Sequence, residues 1–375
     1  MALISGLPDD IAYDCLSHVE YDQFPTVVSV CKGWKAEVEL PEFLQHRKVA
    51  GRSQRLIVMV QAHVVSNHGV FKSPDSPVYR LTICEPDLGN WSELPLLADF
   101  ADGLPMFCQL AAVGSDLVVM GGWDPLTWTI SKSVFIYNFV SGAWRRGTDM
   151  PGDDRIFFGC AADSERMVYV AGGHDDEKNA LRSSMVYDVA KDEWIPLPDM
   201  ARERDECKVI FQGGKLHVIG GYCTEMQGRF ERSTETFNIS TWLWNQVQEG
   251  FLQVATCPRT CVDGDDETMY MCHGDDVVQQ KHDTWKFVAK LPAQVRNPDC
   301  VTAWQGKVLV IGSAGFGEPH MAYVLHLEDY TWTKLETPHK YSGHSSYLSS
   351  EFVKMSICQV PFVFHYPTKS VGVCV

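Results

Sequence analysis

Four side chains of the kind that hold zinc lie near one another in the sequence: Cys257, Cys261, Cys272 and His273. They lack the paired CxxC spacing of a zinc site. Cys272 and His273 are also adjacent at a strand-like end, where consecutive side chains point to opposite faces. The acidic pairs Asp153-Asp154, Asp175-Asp176, Asp265-Asp266 and Asp275-Asp276 suggest calcium, but none sits in a helix-loop-helix ligand pattern. "GSAGFG" at 312–317 has the glycines of a dinucleotide loop without its spacing or its βαβ setting. No Ser-His-Asp or Cys-His nucleophile arrangement stands out. The expectation is a non-catalytic protein with no metal and no cofactor.

The glycines have another use. "VVMGGWD" (118–124), "VYVAGGHD" (168–175) and "HVIGGYC" (217–223) share one form, with pairs starting at Gly121, Gly172 and Gly220. Each pair is followed by an aromatic residue (Tyr137, Tyr187, Phe237) and then by a tryptophan (Trp144, Trp194, Trp244). Trp91, Trp285 and Trp332 extend that series to six units. A period of roughly 50 residues, with four short strand-like runs per unit, is the period of kelch repeats. It predicts a mainly β, six-bladed β-propeller with the tryptophans filling space between blades. The first unit starts with its second strand, "RLIVMVQA" at 55–62. "EFVKMSICQV" at 351–360 should therefore complete that blade and hide the ring's open edge. The expected organisation is a helical module at 1–50, a propeller at 51–360 with degenerate later units, and a tail at 361–375.

Composition narrows the partners. A net charge of −16 over 375 residues repels phosphate backbones, so no nucleic acid is expected. No run approaches the apolar length of a membrane span, and residues 1–20 lack a basic, apolar leader. Thirteen irregularly spaced cysteines fit a reducing compartment, cytoplasmic or nuclear. Before the repeats, "LPDDIAYDCLSHV" reads as a helix with Pro8 in its first turn. Phe24, Val27, Val28, Cys31 and Trp34 read as one apolar helical face, and "LPEFLQHRK" as a third short piece.

"LPDDIAYDCLSHVEYDQFPTVVSVCKGWKAEVELPEFLQHRK" resembles an F-box, with its Leu-Pro start and Val-Cys-Lys-x-Trp segment. Followed by kelch units, it is similar to plant F-box/kelch-repeat proteins over nearly the whole chain. The stretch around 150–207 resembles the subgroup that promotes turnover of phenylalanine ammonia-lyase. Related members act on type-B cytokinin response regulators or flavonoid enzymes, which are the alternative targets. The resemblance implies a substrate receptor of an SCF-type cullin–RING ubiquitin ligase. Leu7, Pro8, Ile11, Val28 and Trp34 would then serve a Skp-type adaptor. Kelch propellers bind through the loops after the glycine pairs, here Trp123, Asp124, His174, Asp175, Tyr222 and Phe316. The loops leading into each blade also contribute, here Arg155, Arg202, Arg204 and Asp205. A propeller enzyme or a cytoskeletal scaffold is the alternative from another class, and neither would need the F-box.

Overall fold

A computed structural model describes residues 3–62, 78–97, 100, 103–124, 127–264, 267–281, 284–315, 318–343 and 345–354. Among them are six antiparallel four-stranded sheets. The second blade runs Gln109–Val113, Asp116–Met120, Val134–Asn138 and Ala143–Gly147. The third runs Gly159–Ala162, Met167–Ala171, Ser184–Asp188 and Glu193–Pro196. The fourth, fifth and sixth follow in order, from Lys208, Val262 and Asn297. The first strands of neighbouring blades touch one another all the way around, which closes the ring.

The blades are sandwiched between their neighbours, so their middle strands are buried on both faces. Strand alternation divides that burial. Val168 and Val170 pack with Val118, Met120 and Ile136 of the second blade. Tyr169, Ala171 and Val186 pack with Leu216, Val218 and Phe237 of the fourth. The six tryptophans behave alike. Trp91, Trp144, Trp194, Trp244, Trp285 and Trp332 donate their indole N–H groups to the backbone carbonyls of Glu336, Pro95, Thr148, Pro198, Phe251 and Lys290, at 2.7–3.1 Å. Each bond ties a blade to the one before it, and Trp91 ties the first blade to the sixth. Only Trp285 is buried; the other five lie half-exposed along the seams.

Ring closure uses both ends of the chain. Ser345–Lys354 pairs antiparallel with Arg55–Ala62, from Arg55 opposite Lys354 to Gln61 opposite Ser345. The closing strand thus begins before the expected 351–360, and residues 355–375 lie outside the described part. The fifth blade is the most degenerate: its first strand is only Val262–Asp263, and Gly274-Asp275 replaces the long loop between its second and third strands.

Ahead of the ring come helices Asp9–Ser17, Phe24–Val30, Lys32–Val38 and Pro41–Val49. The single apolar face expected over 24–34 is broken at Cys31, which is extended (φ −161°, ψ 163°) and whose Sγ accepts from the Trp34 amide. This break lets the chain fold back on itself. The module is not a separate body. Leu16, Phe24, Val27, Val38 and Phe43 share one core with Leu56, Val58 and Ile83 of the first blade and Tyr137, Phe139 and Val140 of the second. Buried Arg47 ties the module's helices to the linker after them: it donates to the carbonyls of Ser17, Val19 and Arg52, and its guanidinium lies 4.9 Å from the Phe24 ring centroid.

Candidate functional site

Antiparallel strands send alternate connections to opposite ends of the ring. One end carries the turns joining first to second and third to fourth strands. The helical module sits there: Tyr21 contacts Phe139 and Ser92, and Pro25 lies against Gly142. The other end carries the connections between second and third strands and the segments leading into each blade. The described loop residues singled out from sequence fall there, at the end of the ring opposite the helical module.

The glycine pairs build the loop end. Gly172 (φ 66°) and Gly173 (φ 85°) are left-handed, where L side chains are strained. A Cβ on Gly172 would lie 2.2 Å from the carbonyl oxygen of Arg204, in the fourth blade's lead-in segment. One on Gly173 would lie 2.4 Å from that of Ile156, in its own blade's. The first glycine thus admits the neighbouring blade and the second its own.

Two of the expected contact arginines belong to this framework, which corrects their role. Arg155 is buried and donates to the Gly172 and Ser183 carbonyls and to Ser183 Oγ; burial pulls its guanidinium down to about 10. Arg204 is fully buried. It donates to the Gly220 carbonyl at 2.6 Å, to Ser233 Oγ at 2.9 Å and to Glu235 Oε1 at 3.1 Å, and Glu235 is equally buried. Neither guanidinium faces solvent. Arg202 is half-exposed but is held by Glu231 at 2.8 Å and by Glu249.

Of the remaining loop residues, Trp123 and His174 converge on one cluster of rings. Trp123, His174 and Tyr222 each follow a glycine pair and form a single bridge to Met106, Ile156 and Asp205 of the lead-in segment. Around them lie half-exposed rings that were not singled out from sequence. Phe107 is 6.0 Å from Trp123 and 4.8 Å from Phe157, and Phe157 is 6.1 Å from Trp123 and 5.5 Å from His174. Trp128, 63% exposed, stands on the same loop as Trp123. In the fourth blade the row turns acidic, where Tyr222 donates its hydroxyl to Glu206 Oε1 at 2.9 Å. Burial pushes the Asp205 carboxyl up to about 6, opposed by nearby His174. Asp124 and Asp175 instead order their own loops, accepting from the Thr127 and Asn179 amides. Phe316 lies outside the described residues.

At the other end, Leu7 and Ile11 are exposed at 38% and 48%, and Pro8 is exposed beside them. Val28 and Trp34 are half-buried against the shared core, and Trp34 donates its indole N–H to the Leu3 carbonyl at 2.6 Å. Val30, Leu40 and Val49 add exposed apolar area that was not singled out. On the fifth blade Cys261 and Cys272 are buried, and burial pushes both thiols up to about 12, so they are protonated at neutral pH.

A ring of tryptophan-tied, glycine-paired blades with a fused helical module defines a kelch-type propeller with a helical N-terminal region. Comparison with known proteins agrees. The Kelch motif matches residues 106–151 and 164–201. The F-box/kelch-repeat proteins At1g15670 and At1g80440 of Arabidopsis thaliana are each 48% identical, over 353 and 351 residues, 92% of this chain and 98% of theirs. A third from the same plant, At2g44130, is 33% identical over 70% of this chain and 69% of its own. The chain belongs to the plant F-box/kelch-repeat family.

Proposed function

We propose that the protein is a non-catalytic substrate receptor of an SCF-type ubiquitin ligase. The helical module binds a Skp-type adaptor, and the loop end holds the target. The observation that carries this reading is the pairing of an outward apolar patch at Leu7, Pro8 and Ile11 with a recognition face at the opposite end. One rigid, shared core fixes the two. The proposed target is phenylalanine ammonia-lyase, on the resemblance of residues 150–207 to the subgroup that turns it over.

Truncation at residue 52 would strip the cover from Phe139 and Val140, so it does not separate binding from folding. Leu7→Lys with Ile11→Lys does, because both side chains already meet solvent. The double variant should keep its melting temperature and lose co-purification with the adaptor. Adaptor retained at wild-type level would refute the module's role. For the target, raising the level of the protein should shorten the lyase's half-life in a proteasome-dependent way. An unchanged half-life would remove the lyase, and loss of a type-B response regulator in its place would name the alternative.

A further inference from the structure

The second, third and fourth blades place one residue each in the left-handed region just before the first strand: Phe107 (φ 62°), Phe157 (φ 53°) and Glu206 (φ 50°). Bulky residues adopt that conformation only where surrounding structure imposes it. Here the bridges from Met106 to Trp123, Ile156 to His174 and Asp205 to Tyr222 hold the preceding residue in place. The effect is to lift every such side chain toward the loop end, while the next residue (Cys108, Phe158, Cys207) is buried. A scaffold that needed only packing would place glycine or asparagine at these positions. This chain places two phenylalanines and a glutamate.

The rings of Phe107, Trp123 and Phe157 form a continuous ledge; His174 packs on Phe157 and lies near Asp205, and Glu206 holds the position in the fourth blade that Phe157 holds in the third. Several cations of the adjoining loops are committed elsewhere, while Lys178 and Arg229 are exposed to solvent. Arg155 and Arg204 are buried, Arg202 is paired with Glu231 and Glu249, Lys132 with Asp154, and Arg182 with Asp199. The ledge therefore offers aromatic faces beside a carboxylate on a protein of net charge −16. That combination suits a planar cation, which stacks on rings while pairing with an acid.

We propose that this ledge seats an arginine-bearing segment of the target protein, its guanidinium over Phe157 and Trp123 and paired with Glu206, and an apolar neighbour of that arginine against Phe107. The proposal rests on the substrate-receptor reading and specifies the chemistry the target must present.

The test uses the full chain bound to an immobilised positional peptide library, with adaptor binding followed on the same preparations. Wild-type protein should enrich arginine, beside a leucine or phenylalanine, over lysine and over acidic residues. Phe157→Asn and Glu206→Asn place a residue that tolerates left-handed backbone at each site, so both variants should fold, with melting temperatures equal to or above wild type. Each should weaken binding of the best library peptide about tenfold or more. Binding within twofold of wild type in both variants, or enrichment lacking arginine, overturns the proposal. Arginine enrichment without adaptor binding would sustain the ledge and sink the receptor reading; the reverse pattern would do the opposite.

Discussion

Arg204 separates framework from recognition most sharply, because the two roles predict opposite outcomes. In the structure its guanidinium and the Glu235 carboxylate are fully buried together. Glu235 also accepts from the Ala201 amide at 2.7 Å and the Arg202 amide at 3.2 Å, so this one carboxylate organises the segment leading into the fourth blade. Arg204→Met keeps much of the volume but leaves Glu235 without its counter-charge and the Gly220 carbonyl without its donor. Breaking a buried pair from one side costs about 3–5 kcal/mol. At about 2–4 °C per kcal/mol for a large domain, the melting temperature should fall by roughly 10 °C. Glu235→Gln keeps one acceptor oxygen, so it can still serve the Arg202 amide and Arg204 but loses the Ala201 bond, and it should cost about 2–3 kcal/mol. The double variant should cost clearly less than the sum, with a coupling of about 2 kcal/mol. Urea melts of the four proteins measure this cycle. If Arg204→Met lies within 1 kcal/mol of wild type, or if the two changes simply add, the guanidinium is not the buried clamp described here. A contact residue for a target would leave the melts unchanged and alter only binding.

Three further predictions follow from the same geometry. Trp194→Ala removes a half-exposed ring and its bond to the Thr148 carbonyl, so it should cost about 2–3 kcal/mol, below the range of a fully buried tryptophan; an unchanged urea midpoint would deny the seam role. Gly173→Ala and Gly152→Ala compare similar angles (φ 85° and 81°) in different company, since a Cβ at 173 meets the Ile156 carbonyl while one at 152 meets nothing within 4 Å. The first should cost several times the roughly 1 kcal/mol of the second, and equal melting temperatures would refute the close-approach argument. Asp205 has a folded pKa near 6, above the ordinary 3.8, so its contribution to stability is present below pH 3.8 and lost as pH rises through 6. Asp205→Asn should therefore raise stability by about 1–2 kcal/mol at pH 7.5 and by little at pH 4. A gain of the same size at both pH values would show that ionisation is not its source.

The repeat was legible because its physics is local. A glycine pair, an aromatic residue and a tryptophan recur at fixed distances, and each has one job that every blade needs done. The outer loops were harder. Arg155 and Arg204 sit in loop segments rich in charge, and sequence places them there without showing that the backbone folds over them. A usable sign was present, since both occupy the same position in their repeats and each has a serine, Ser183 or Ser233, entering the third strand of the blade. Phe107 and Phe157 were missed because aromatic residues just before a strand read as core, and only the left-handed backbone turns them outward. The break at Cys31 was hidden for a similar reason: the apolar spacing is continuous across it, while the backbone is not.

These errors share a cause that is itself informative about repeat proteins. A side chain recurring at one position in successive blades meets a requirement of the ring, so its identity reports the scaffold. Where the backbone recurs but the side chain changes, the scaffold's demand is met and the residue is free to serve something outside the ring. Arg155 and Arg204 are alike and inward. Phe157 and Glu206 hold the same φ two residues further on, and they differ and face the loop end. The same separation applies to the helical module. Phe24, Val27 and Val38 are spent on joining it to the propeller, whereas Leu7 and Ile11, exposed on a protein that buries so many equivalents, have no use inside it. Fixing the two surfaces at opposite ends of one core means that whatever the apolar patch holds and whatever the ledge holds are kept at a set distance and orientation. The proposed substrate-receptor role would draw on that geometry, which a flexible tether between two independent modules would fix less tightly.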